Sequence, residues 1–290
     1  MLQSFLILFR ETLEVALIVG IVLGYLVRSD QRAFRPLVYG GLAAGVGASV
    51  AAALLFERLA GGFSGRGEEL FEGVTMLVGA ALLTTLIFWM ARKTDISGEL
   101  EARVRREMSR AGRIGLFLLV FVSVLREGVE SVIFLGAARI ASPENNLVGA
   151  LLGIAAAAAL GLLLFRGALR IRLARFFTVM NVILVLFAAG LVAHGIHELQ
   201  EAGALPALVE QVWNLNPAYV EGSGPIPVLH EDGAVGGTLK GLFGYNGNPS
   251  LIELLGYGLY LAAAALVWSR IGGRVSRVSR DGAARYRTSG

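Results

Sequence analysis

Seven stretches of the chain are each long and apolar enough to cross a lipid bilayer: roughly 4–27, 37–59, 70–91, 115–138, 147–166, 176–199 and 250–269. A crossing helix needs about 20 mostly apolar residues. In hydrocarbon every backbone N–H and C=O must be satisfied within the segment, so each stretch is constrained to be helical. The expected fold is all-α: a polytopic membrane protein with seven transmembrane helices. Composition agrees, because 55% of the 290 residues are hydrophobic and 17% are charged, whereas a soluble domain is about a quarter charged. With no cysteine, disulfide frameworks and thiolate metal sites are excluded. The start, "MLQSFLILFRE", lacks a positive n-region and is interrupted by Arg10 and Glu11, so it does not read as a cleaved signal peptide.

The basic residues set an orientation. Connections rich in arginine (Arg28, Arg32 and Arg35; the 92–114 segment; Arg166 to Arg175; the tail from Arg270) alternate with poor ones (Arg66 with Arg58; Arg139; Lys240 in 200–249). The positive-inside rule then predicts an outside N-terminus and a cytoplasmic C-terminus. These arginines lie in short clusters between apolar runs, so the partner they imply is the bilayer and not nucleic acid. A single domain, 1–290, is expected: repeat A 1–91, repeat B 115–200, an external loop 200–249, span 7 at 250–269 and a basic tail 270–290. Residues 92–114, as in "ELEARVRREMSR", read as a cytoplasmic surface helix. The loop 200–249 carries Glu201, Glu210, Glu221, Glu231 and Asp232 against Lys240. It reads as a solvated acidic loop, or as one that concentrates cations.

Two spans break the apolar pattern in the same way. Arg10-Glu11-Thr12-Leu13-Glu14 in span 1 aligns without a gap to Arg126-Glu127-Gly128-Val129-Glu130 in span 4. Three spans separate the copies, so the second runs through the membrane in the opposite sense. That is the pattern of inverted repeats, spans 1–3 and 4–6, with span 7 appended, and such proteins bind substrate at the repeat interface near midplane. Glu11 and Glu14 share a helix face, as do Glu127 and Glu130. Each ionisable group at mid-helix costs about 2.5–3.5 kcal/mol on insertion scales, so the motifs demand partners or a ligand. Arg10 stands four residues before Glu14 and Arg126 four before Glu130, and each can pair with its own helix's second glutamate. Two arginines against four glutamates leave a formal charge of −2, which suits a hard cation with oxygen ligands. A proton relay and a purely structural ion-pair network are the competing readings, the latter leaving the surplus carboxylate unexplained.

Further polar groups lie toward the outer ends of spans 3 and 6. Glu72 opens span 3, and "AHGIHELQEAG" places His194, His197, Glu198 and Glu201 at helical spacing. A zincin helix needs H-E-x-x-H, and His197-Glu198-Leu199-Gln200-Glu201 lacks the last ligand. Glu72, His197, Glu198 and Glu201 are therefore candidates for receiving a metal ion, with interfacial solvation as the plain alternative. Glu57 and Glu253 sit at span ends and read as structural. The glycines of "GIVLG" and "GGLAAGVGA" read as sites of close helix packing.

The paired R-E-x-x-E motifs, with "HELQEAG" and "GLFGYNGNPSLIELLGYGLY", resemble the FTR-type (oxidase-dependent) iron permeases, including the bacterial ferrous and ferric permeases. The resemblance covers nearly the whole chain. It implies iron, Fe2+ or Fe3+, as the transported ion, no organic cofactor, no enzymatic activity and a plasma (inner) membrane location. Glu11, Glu14, Glu127 and Glu130 would be the iron-handling residues. A ferroxidase, cupredoxin-like or haem-peroxidase periplasmic partner would be a separate chain. The expected function is high-affinity iron uptake. The alternatives are another divalent cation (lead or manganese) on the same scaffold, or an intramembrane redox or metal enzyme.

Overall fold

The computed structural model describes residues 1–92, 98, 102–106, 112–141, 146–165, 173–216, 228, 230, 231 and 233–288. Among them there is no strand. The helices are α1 (Leu2–Arg28), α2 (Arg35–Ala60), α3 (Arg66–Arg92), α4 (Gly112–Ala141), α5 (Asn146–Phe165), α6 (Leu173–Glu201), α7 (Ala234–Phe243) and α8 (Leu251–Thr288), with one 3-10 turn at Arg32–Phe34. Most of the expected surface helix 92–114, Glu221 and Asp232 of the external loop, and Arg166, Arg170 and Arg172 lie outside the described residues. In the short stretch 102–106, Val104 is buried against α1, α2 and α4 while Arg103 and Arg105 are exposed.

Apolar residues point outward as well as inward. Leu54, Leu55, Leu118, Val122, Leu151, Val179, Leu259 and Leu266 are all well exposed. A water-soluble protein does not carry so continuous an apolar exterior, and lipid is the solvent that matches it. Five stretches, Arg32–Ala60, Arg66–Trp89, Leu147–Phe165, Thr178–Glu201 and Leu251–Arg270, are long and apolar enough to cross a membrane by length and composition. The molecule is a polytopic membrane protein. The expected count was seven. The two helices missing from the five, α1 and α4, are as long as the others (27 and 30 residues) but carry the R-E-x-x-E groups in their apolar length.

The most extensive packings are α1 on α5, α2 on α4 and α3 on α6. Each motif helix thus lies on the helix that follows the other motif helix in the chain. The match extends to single residues. Phe5 and Phe121 each stand five positions before their motif arginine. A Cβ added to Gly153 of α5 would lie 2.5 Å from the Phe5 carbonyl oxygen, and one added to Gly45 of α2 would lie 3.2 Å from that of Phe121. Of the glycines expected to pack closely, Gly20, Gly41 and Gly45 meet a neighbouring helix, whereas Gly24 and Gly47 face open space.

Within the segment read as a solvated loop, α7 instead packs on α6. Its C-terminal Gly244 adopts the left-handed conformation, φ 68°, which glycine alone takes without strain. Gly244 lies against Gly190, halfway along α6, where a Cβ on either residue would collide with the other's backbone. Ten glycine-rich residues are too few to register as a span, which is why this packing is invisible in the hydropathy. The start of α8 carries a capping box: the Glu253 N–H donates to Ser250 Oγ (3.2 Å) and the Ser250 N–H to Glu253 Oε1 (3.0 Å).

Candidate metal centre

Helix α1 buries its whole motif. Arg10 has no exposed surface, Glu11 is 2% exposed and Glu14 8%. Arg10 Nη1 lies 3.1 Å from Glu11 Oε1, and Nη2 lies 3.0 Å from Glu14 Oε1. The i,i+4 pair expected from spacing forms, and so does a second pair with the adjacent glutamate. On α4, Arg126 Nε lies 2.8 Å from Glu130 Oε1 and 3.6 Å from Glu127 Oε1. Glu127 is buried at 4% exposure, and Glu130 is half-buried.

Because α1 packs on α4, the motifs meet. One carboxylate oxygen from each of Glu11, Glu14 and Glu127 lies within 4.8 Å of the others. Among the described residues this is the one grouping of three or more such groups tight enough to surround an ion. Glu130 stays on its arginine at the edge of the cluster. Glu11 Oε2, Glu127 Oε2 and Glu130 Oε2 are buried with no hydrogen-bond partner among the described residues. Buried polar atoms are nearly always satisfied, so these oxygens are available to a donor or to an ion. Arg10 pairs with Glu11 and Glu14, and Arg126 lies 3.6 Å from Glu127, so two arginines face the three close carboxylates and Glu130. Oxygen donors grouped in this way are the kind of ligand a hard cation prefers.

The outer candidates assemble differently. Glu198 on α6 faces Glu72 and Glu69 on α3 closely enough for their charges to interact, with Glu201 beside it. The helices that carry them approach where Gly73 meets Gly195 and Leu199. His197 is engaged at both ring nitrogens, Nδ1 with Glu253 Oε1 (3.1 Å) and Nε2 with Glu201 Oε1 (3.2 Å). A metal ion would have to displace a carboxylate to reach it. His194 turns into the protein, its Nδ1 lying 3.1 Å from the Gly190 carbonyl oxygen. Glu253 is structural: besides capping α8 it accepts from Asn246 Nδ2 (2.8 Å). The sequence signal for that role was Ser250 three residues before Glu253 at the head of an apolar run. Glu57 forms an exposed pair with Arg139, 2.7 Å, joining the ends of α2 and α4. A cavity of about 290 Å3 lies between α6, α7 and α8, lined by Trp213, Leu239, Phe243 and Glu253 among others, and no motif residue reaches it.

Sequence reasoning missed Trp89. Its ring lies 5.2 Å from the Arg126 guanidinium carbon, and no local pattern links positions 37 residues apart on different helices.

The segment between α6 and α8 is tied down by Glu231. Lys240 Nζ (2.6 Å), Asn216 Nδ2 (2.7 Å) and the Gly247 N–H (2.7 Å) all donate to its carboxylate. Burial opposes ionisation of Glu231, but these donors and the Lys240 charge outweigh it and hold the carboxyl below its usual value.

Comparison with known proteins converges on one family. The sequence profile of the iron permease FTR1 family matches residues 1–271. An archaeal chain from Archaeoglobus fulgidus, named only as an uncharacterized protein, is 35% identical over 280 residues, covering 95% of this chain and 97% of its own length. The ferrous iron permease EfeU of Shigella sonnei is 32% identical over 288 residues, 96% of this chain and 99% of that protein. The ferrous iron permease EfeU of Yersinia pestis is 31% identical over 276 residues, 92% and 93% respectively. No solved structure matches.

Proposed function

The chain belongs to the iron permease FTR1 family, and from that premise we propose that it takes iron across the plasma (inner) membrane by passing the ion between the glutamates of α1 and α4. It is a transporter and not an enzyme. The observation that carries the reading is the trio Glu11, Glu14 and Glu127, drawn from two helices to within 4.8 Å, with orphaned oxygens on Glu11 and Glu127. Glu130, released from Arg126, is a fourth ligand within reach. Arg10 and Arg126 set the local charge and pair with whichever carboxylates the ion vacates. Glu72, Glu198 and Glu201 collect the ion at the outer end, with His197 as a further donor once Glu201 moves. The EfeU relatives are named ferrous permeases, which favours Fe2+ as the cargo. A ferroxidase, cupredoxin-like or haem-peroxidase chain is the proposed partner at the outer face.

The seven-span, inverted-repeat architecture, N-out and C-in, is part of the proposal. Its support is the reciprocal packing of α1 on α5 and α2 on α4, together with the matched approaches of Gly153 to Phe5 and Gly45 to Phe121. A pseudo-two-fold axis in the membrane plane generates both. The motif charges on α1 and α4 are tolerated at depth because each glutamate faces an arginine or another glutamate across the interface, and not lipid. Rocking of one half against the other would then expose the trio to each side in turn.

Purified protein in lipid vesicles tests this. Iron accumulates with the wild-type chain, fails to do so with Glu14→Ala and accumulates more slowly with Glu130→Ala. Normal uptake by both variants refutes the reading. Competition by manganese or lead at matched concentration separates an iron carrier from a general divalent carrier on the same carboxylates.

A further inference from the structure

The two motif arginines differ in what holds them. Arg10 is sealed between Glu11 and Glu14. The Arg126 side chain is 44% exposed, although it stands halfway along a 30-residue helix. A guanidinium facing hydrocarbon at that depth costs about 2.5–3.5 kcal/mol on insertion scales, so its open side calls for a polar or aromatic neighbour in place of lipid. Carboxylates are not its whole surroundings. The guanidinium lies over the Trp89 ring at 5.2 Å, and tryptophan offers the strongest cation–π face of any side chain. Trp89 is itself 42% exposed. It stands near the C-terminal end of α3, away from Glu72 and the acidic cluster at the other end. Long helical side chains lean toward their helix N-terminus, and Arg126 on α4 leans to that same end of the bundle.

We propose that Trp89 is a positioning residue for release of the transported ion. Its indole face holds Arg126 beside Glu127 and Glu130 while those carboxylates carry the cation. This inference rests on the proposed reading that the motif glutamates carry iron. A cation on Glu127 repels the guanidinium, which rests on the ring. When the ion leaves, Arg126 closes its 3.6 Å separation from Glu127 and neutralises it, and the ion is not recaptured. Arg10, by contrast, is fully buried and pairs with two carboxylates of its own helix within 3.1 Å. The Trp89 end is therefore the side of release, which in the N-out topology is the cytoplasm. No bond is made or broken. The guanidinium changes partner, and a planar, stackable cation is needed, which explains an arginine here in place of a lysine.

The test measures iron(II) uptake, with ascorbate as reductant, into phosphatidylcholine–phosphatidylglycerol vesicles carrying the full chain. Trp89→Leu is expected to lower the maximal rate roughly two- to fivefold, the rate equivalent of an exposed cation–π contact, with KM unchanged. Trp89→Phe, which keeps an aromatic face, recovers most of the rate. The chain has three tryptophans, so Trp213→Phe with Trp268→Phe leaves Trp89 as the sole emitter. Its emission is expected to shift when Arg126→Gln is added. A wild-type maximal rate in Trp89→Leu, a raised KM with the rate intact, or an emission indifferent to Arg126→Gln each overturns the proposal. If leucine prevents folding, the phenylalanine variant and the emission measurement still decide. Failure of the wild-type chain to accumulate iron would instead overturn the transport reading beneath it.

Discussion

The helices α1 and α4 carry the same five-position pattern, yet the two motifs are different objects. Both form the expected Arg–Glu pair four residues apart, at 3.0 and 2.8 Å. Beyond that they diverge. Arg10 is enclosed, bonded twice, and helps bring Glu11 and Glu14 to the trio. Arg126 is half-open, rests on an aromatic ring, and keeps Glu130 at the margin. A local pattern dictates a local pair. Whether that pair becomes a sealed anchor or a movable one depends on what the rest of the molecule packs around it.

The difference can be broken most forcefully at the arginines. Arg10→Ala leaves Glu11 and Glu14 buried without their counter-charge, and loss of one partner from a buried pair costs about 3–5 kcal/mol. Arg126→Ala removes a half-exposed partner and is expected to cost about 1 kcal/mol. Thermal unfolding in detergent compares them, and equal losses would erase the distinction between anchored and movable arginine. At the carboxylates, Glu11→Gln and Glu127→Gln are expected to cut vesicle iron uptake about tenfold or more, equivalent to at least ~1.4 kcal/mol in the barrier. Glu130→Gln, outside the tight trio, is expected to retain more activity than either. An equal loss at Glu130 would place all four glutamates on one footing.

Packing provides the converse check, because there α1 and α4 are approached alike. Gly153→Leu and Gly45→Leu each push a side chain into the opposing motif helix, and overpacking costs about 1–3 kcal/mol. Similar losses of thermal stability are expected from both. A large effect at one and none at the other would argue against equivalent halves. The smallest effect concerns the segment between α6 and α8. The folded-state pKa of Glu231 is depressed, so its contribution is fully present above the unfolded value of about 4.3 and is lost as pH falls through the lower folded value. Proteolysis of residues 200–249 is expected to be unchanged between pH 7 and 5 and to accelerate below about pH 4. Lys240→Ala is expected to bring that acceleration to higher pH.

Much of this was legible from the sequence. Apolar run length marks every long helix, including α1 and α4 despite their charges, and the spacing of Arg10 and Glu14 predicts their pair. The iron permease resemblance rested on the duplicated motif and two later segments, and the family comparison agrees with it. Other features were not legible. Helix α7 is short and glycine-rich, so neither periodicity nor hydropathy marks it, and its seat on α6 depends on Gly190 and Gly244 meeting back to back. Spacing makes His197 a candidate ligand, but it does not reveal that Glu253, 56 residues away, engages one of its nitrogens. The role of Trp89 needed α3 and α4 side by side.

What the sequence by itself determined is the set of long helices and the chemistry in them: apolar length forces the helix in lipid, and repeated carboxylates force a cation or a counter-charge. Only the tertiary structure decided which carboxylates converge. Glu11, Glu14 and Glu127 meet where α1 packs on α4, and Glu130 stays outside the trio on its arginine. Spacing along one helix specifies which side chains share a face. It carries no information about how far that face lies from the face of another helix, and a metal site is defined by that distance.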